Sequence, residues 1–157
     1  MCYVPKKRIL NERLAAIVAS IRHGEMLFIA DAGSGTCSKA IVQPLDSSVE
    51  YLDLGAVTGS PTMLEIVSAL KTAGDFEGCI VTEEMPEANP KDYQALVEIF
   101  DEENITKVPY KPTYYQLRDR CKAMIQTGDY GVHAQAVLIA GYSSAKISLD
   151  RLLPKKE

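Results

Sequence analysis

His23 and Asp31 stand eight residues apart, one before a short apolar run and the other after it. An imidazole exchanges protons near neutral pH, and a carboxylate that accepts from one ring nitrogen fixes its tautomer. If the two meet, the other nitrogen serves as general acid and base. A straight strand spaces residues about 3.3 Å apart. The turn at Gly24-Glu25, or a second subunit, therefore has to bring them together. The bland alternative is a surface histidine near a helix C-terminus, where positive charge is favoured. Asp31-Ala32-Gly33-Ser34-Gly35-Thr36 also suggests a phosphate cradle. It has no Walker lysine and no full GxGxxG, and a tight turn explains its glycines equally well. Lys111 precedes Pro112-Thr113 and is either a hydroxyl contact or a solvated cation. His133 and Gln135 flank Ala134, and both side chains donate and accept, as a hydroxyl-rich ligand requires. Glu83-Glu84 reads as a solvated loop edge, and Tyr114 and Tyr115 as core or ligand platform.

These residues need a frame. Leu14, Ile17, Val18 and Ile21 recur at helical spacing and predict a helix over about 12–22 that stops near Gly24. Met26–Ala30 is a short apolar run ending in turn residues, hence a buried strand. Val49–Val57 reads as a second strand. Ser60-Pro61 predicts the start of a helix carrying Met63, Ile66, Val67 and Leu70. Gly78–Thr82 is a third strand. A helix over about 90–103 turns Tyr93, Leu96, Val97 and Phe100 inward. Ile105–Pro109 is a short strand. Thr113 with Gln116 resembles a capping box, before a helix that carries Leu117, Cys121, Met124 and Ile125 on one side. Ala136–Ala140 is a last buried strand, and 143–157 forms a C-terminal extension with an apolar cluster at Leu149, Leu152 and Leu153.

Helices alternating with strands imply one α/β domain over 1–157: three layers, with a largely parallel sheet flanked by helices. Ligands of such sheets sit beyond the carboxyl ends of the strands. Asp31–Gly35, Thr82–Glu84 and Gly141-Tyr142 are expected at those ends. At 157 residues, with Lys+Arg 17 against Asp+Glu 21, the net charge of −4 disfavours nucleic acid or an anionic membrane as partner. The segment after Lys6-Lys7-Arg8 is too polar for a signal peptide, so a cytoplasmic location is expected. Cys2, Cys37, Cys79 and Cys121 form no CxxC pair and read as free thiols, and two histidines are too few for a multi-histidine metal site.

Ile9-Leu10-Asn11, a helix, His23-Gly24 and then Asp31-Ala32-Gly33 resemble the start of the D-ribose pyranase and L-fucose mutarotase family. The helix from Tyr114, the segment Ala123–Asp129 and the strand ending Ala140-Gly141 resemble its C-terminal half. The resemblance spans most of 9–142. It implies a small α/β protein that assembles into rings, commonly decamers, with sugar pockets near subunit contacts. It implies interconversion of pyranose, furanose or anomeric forms of a free monosaccharide, with no cofactor and no metal. On this resemblance His23 is the general acid and base, and Asp31 a binding or orienting carboxylate. Lys111 falls where the family places a His or Arg, and His133 and Gln135 where it places Tyr-x-Asn. These three departures keep a second function open: a sugar-binding or regulatory module with the same pocket and no turnover. The start of the chain resembles the ribose branch more closely. The tail beyond Tyr142 is longer than the family pattern.

Overall fold

The computed structural model describes residues 8–35, 44–142 and 146–154. Cys2, Cys37 and Thr36 lie outside the described residues. Asn11 starts the first helix, because its side-chain oxygen accepts from Leu14 N at 2.9 Å. Helix α1 (Glu12–Ser20) then buries Leu14 and Ile17. Strand β1 (Met26–Ala30) follows and is buried along its whole length. Strand β2 (Glu50–Asp53) is shorter than expected, because Gly55 N turns back onto Asp53 Oδ1 at 2.9 Å. Helix α2 (Met63–Ala73) begins two residues later than Ser60-Pro61 suggested. Ser60 is held in a hairpin turn with Ala56 and Val57, so Thr62 caps the helix instead.

Strand β3 (Phe76–Thr82) leads through a short helix α3 (Met85–Ala88) into α4 (Pro90–Phe100) and then β4 (Ile105–Val108). An irregular turn over Tyr110–Tyr114 precedes a one-turn helix α5 (Tyr115–Arg118). No side chain caps α5, so Thr113 and Gln116 form no capping box. The expected helix does not run on to Met124 and Ile125. Instead Ala123–Gln126 is a strand, β5, and Ala136–Ala140 is β6. A short apolar run carries no period that separates strand from helix, and tertiary placement decided it.

The six strands lie in the order β2-β5-β1-β6-β3-β4. The pairs β1–β5, β2–β5 and β3–β4 are parallel, whereas β6 runs antiparallel to β1 and β3. The sheet is therefore largely parallel, with one reversed central strand. That reversal moves Gly141-Tyr142 to the amino-end side of the sheet, opposite the expected ligand end.

Strand periodicity divides the core in two. Leu27, Ile29, Val81, Ile125 and Leu138 face α1, α2 and α4. Met26, Phe28, Ile80, Met124 and Val137 face Tyr114, Leu117 and, from the tail, Leu152. Both faces are covered, which explains why the strands read as continuous apolar runs. Cys79 and Cys121 are free and buried, and burial pushes the Cys79 thiol up to about 12. No described helix is long and apolar enough to cross a membrane.

Candidate sugar site

The carboxyl ends of β1, β3 and β5 and the start of β6 meet at one end of the sheet. Asp31 follows β1 directly. Its Oδ1 accepts from Gly33 N and Ser34 Oγ, both at 3.0 Å, and its Oδ2 accepts from Gln135 Nε2 at 2.8 Å. The glycine-rich loop thus turns these donors inward onto Asp31 and does not offer them to a phosphate. Gln126, at the end of β5, locks the same loop: its Nε2 donates to the carbonyls of Asp31, Ala32 and Ser34. Asp129 braces the floor, accepting from Met63 N at the start of α2 and from Gly131 N. A cavity of about 270 Å³ opens here, lined by Asp31, Ala32, Gly33, Asp129, Tyr130 and Gly131.

His133 belongs to the same end. Its Nδ1 lies 3.0 Å from Thr82 Oγ1, and its ring stands edge-on to Tyr110 at 5.2 Å. Its φ of 50° lies in the left-handed region, uncommon for a non-glycine residue. Tyr110 and Tyr115 share a hydroxyl–hydroxyl contact of 2.5 Å. Burial raises the Tyr115 phenol most, followed by the Tyr110 hydrogen bond and charge, and Asp31 adds to the rise. Tyr114 is fully buried and pushed up chiefly by burial, with Asp31 again contributing. Tyr114 is core, packed on Phe28 at 5.2 Å. Lys111 stands exposed at the edge, its Nζ 5.9 Å from the Tyr110 ring centre. Glu83 and Glu84 are exposed, as a solvated loop edge should be.

Sequence reasoning passed over Arg118. Its guanidinium is buried, lies 5.4 Å from the Tyr115 ring, and donates to Gly35 O at 3.4 Å and Pro44 O at 3.1 Å. It ties Gly35 and Pro44 to α5. The signal was available: Tyr114, Leu117, Arg118 and Cys121 share the i, i+3, i+4, i+7 stripe, and a charge there faces the core.

His23 is elsewhere. Strand β1 stands between it and Asp31, about 17 Å of chain at 3.3 Å per residue. The turn at Gly24-Glu25 does not fold the histidine back. Gly24 N and Glu25 O bond to Ala140 at the far end of β6. There the His23 ring stacks on Tyr142 at 6.0 Å, with Nε2 at 3.4 Å from Glu77 Oε2. So one end of the subunit holds Asp31, His133 and Gln135 together with Lys111 at its edge, and the other end holds His23.

Comparison with known proteins shows the family. The model of the RbsD / FucU transport protein family matches residues 5–143. A D-ribose pyranase of Vibrio vulnificus is 31% identical over 144 residues, covering 87% of this chain and 96% of that protein. One from Pseudothermotoga lettingae is 28% identical, covering 87% and 91%. The structure of Bacillus subtilis RbsD complexed with D-ribose superimposes with a TM-score of 0.75 at 28% identity, covering 90% of this chain and all of that one. The fucose mutarotase from Streptococcus pneumoniae, in complex with L-fucose, shares the fold with a TM-score of 0.67 at 15% identity, over 86% and 95% of the two chains. A family match over residues 5–143, with the fold of RbsD, places this chain in the RbsD/FucU family.

Proposed function

We propose that this chain is a monosaccharide mutarotase or pyranase that interconverts ring forms or anomers of a free sugar. The match to D-ribose pyranases over 87% of this chain carries the reading and favours ribose. A cyclic sugar opens when a base takes the anomeric hydroxyl proton and an acid protonates the ring oxygen. The bond from the anomeric carbon to the ring oxygen then breaks as the carbonyl forms. Closure through another hydroxyl gives the other ring size, and closure on the other carbonyl face gives the other anomer. No atom is oxidised or reduced overall, and His23 serves as the acid and base that moves the protons. Asp31 and Gln135 hold hydroxyls, with His133 beside them and Lys111 at the rim.

Because β1 separates His23 from Asp31, the working pocket joins the His23 end of one subunit to the Asp31 end of the next. A head-to-tail contact of this kind closes into a ring when its rotation allows, and a decamer of paired rings satisfies it. Exposed apolar residues support the pairing. Val57, Tyr130 and Val132 crown the Asp31 end, and Tyr142 the His23 end. We place the protein in the cytoplasm, a location suited to its free, buried thiols.

One observation favours the second function, sugar binding without turnover. Asp31 Oδ2 already takes the Gln135 amide, and His133 Nδ1 faces Thr82. NMR magnetisation exchange between anomeric protons of ribose, and of fucose, separates the two. The enzyme reading expects wild type to accelerate exchange and His23→Ala to lose about 10²–10⁴-fold of that acceleration. Saturable sugar binding with no acceleration would select the binding module.

A further inference from the structure

The C-terminal tail, beyond the stretch that the family model matches, docks against the His23 end of the sheet. Leu152 is buried with Met26, Phe28 and Cys121. Ile147 packs onto Gly24, where φ is 83° and an added Cβ would collide with the isoleucine side chain. Ile147 N donates to Glu77 Oε1 at 2.9 Å. That leaves the other oxygen, Glu77 Oε2. It is buried, has no hydrogen-bond partner among the described residues, and lies 3.4 Å from His23 Nε2. A buried carboxylate oxygen left unpaired is costly, and an imidazole nitrogen able to carry a proton lies 3.4 Å away. Apo contacts of this kind are often long and shorten when the site is occupied.

We propose that Glu77, held by the tail amide of Ile147, is the positioning residue that sets the tautomer of His23. The proposal rests on the reading of His23 as the proton-transfer group. The chemistry follows from the donor inventory. A carboxylate only accepts, so the imidazole keeps its proton on Nε2 and turns the Nδ1 lone pair to the sugar. When Nδ1 takes the anomeric proton, the imidazolium that forms lies beside a fixed negative charge. The Tyr142 ring, stacked on His23, restricts rotation from the other side. The backbone bonds to Ala140 hold the turn itself, so ring orientation is the freedom left for Glu77 to remove.

The tail makes the test sharp. In Glu77→Gln the Ile147 amide still requires an acceptor, so the glutamine oxygen takes that place. Its NH₂ group then faces His23 Nε2 and needs a lone pair there. The proton moves to Nδ1, and the nitrogen that faced the sugar stops being a base. Long-range ¹H–¹⁵N correlation on histidine-labelled protein at about pH 8.5, where ordinary imidazoles are neutral, reads the tautomer directly. The chain has two histidines, so His23→Ala completes the assignment. The expected result is Nε2–H in the wild type and Nδ1–H in Glu77→Gln, with ribose exchange slowed about 10²-fold. An unchanged tautomer in folded Glu77→Gln overturns the proposal. So does an Nδ1–H wild type, which decides the matter even if the variant fails to fold. A switched tautomer with an undiminished exchange rate upholds Glu77 as the group that orients His23 and removes His23 from the reaction.

Discussion

Gln135 shows how one methylene is used. The longer amide reaches across the strand ends to Asp31 Oδ2 at 2.8 Å, while Asp31 Oδ1 closes its own turn. Gln135 is buried and Asp31 half-buried, so the pair is shielded from water. Gln135→Leu keeps much of the volume and removes the donor. It should cost about 1–3 kcal/mol in urea unfolding, because a shielded carboxylate oxygen loses its partner. A loss near zero would mean that water replaces the amide at no cost. The same variant should weaken sugar binding, since Asp31 Oδ2 loses its donor and only Oδ1 stays tied to Gly33 and Ser34.

Elements act here through their ends. The turn Thr127-Gly128-Asp129 connects three of them: Thr127 Oγ1 donates to Ala30 O at 2.7 Å, Gly128 N to Pro61 O at 2.9 Å, and Asp129 accepts from the first amide of α2. Gly128 has no room for a side chain. A Cβ there would sit 2.6 Å from Val57 O and closer still to Ser60 O. Both are backbone atoms and cannot swing aside. Gly128→Ala should lower stability by about 1–3 kcal/mol in chemical denaturation. It should also loosen Asp129 and the cavity floor, raising the sugar concentration needed for half-saturation. Unaltered stability and binding would show that the 57–60 hairpin yields freely.

The whole molecule has two unlike ends, and this asymmetry shapes its assembly. If each pocket takes His23 from one subunit and Asp31 from its neighbour, His23→Ala and Asp31→Asn are each inactive alone but complementary together. Dissociated, mixed in equal amounts and reassembled, they should recover about a quarter of wild-type exchange, the chance that both halves of a site are intact in a heterologous ring. No recovery, with reassembly verified by native mass spectrometry, would exclude the shared pocket.

Local signals made much of this protein legible. Leu14 and Ile17 at helical spacing, the apolar runs at 26–30 and 136–140, and the acid after β1 follow from short-range chemistry: side-chain period, turn propensity and donor inventory. They established the α/β class and set Asp31 at the carboxyl end of a strand, whereas the reversal of β6 is what brought His133 and Gln135 to that end. What the chain pattern did not contain was strand direction and partner choice. A short run such as Ala123–Gln126 is apolar on both sides whether it enters a sheet or a helix, and only its slot between β1 and β2 decided. The reversal of β6 carried Tyr142 to the His23 end, and the packing of the tail there placed Glu77 between Ile147 and His23. The separation of His23 from Asp31 had the same origin. Eight residues of chain are compatible with contact or with distance, and the straight strand between them imposed distance.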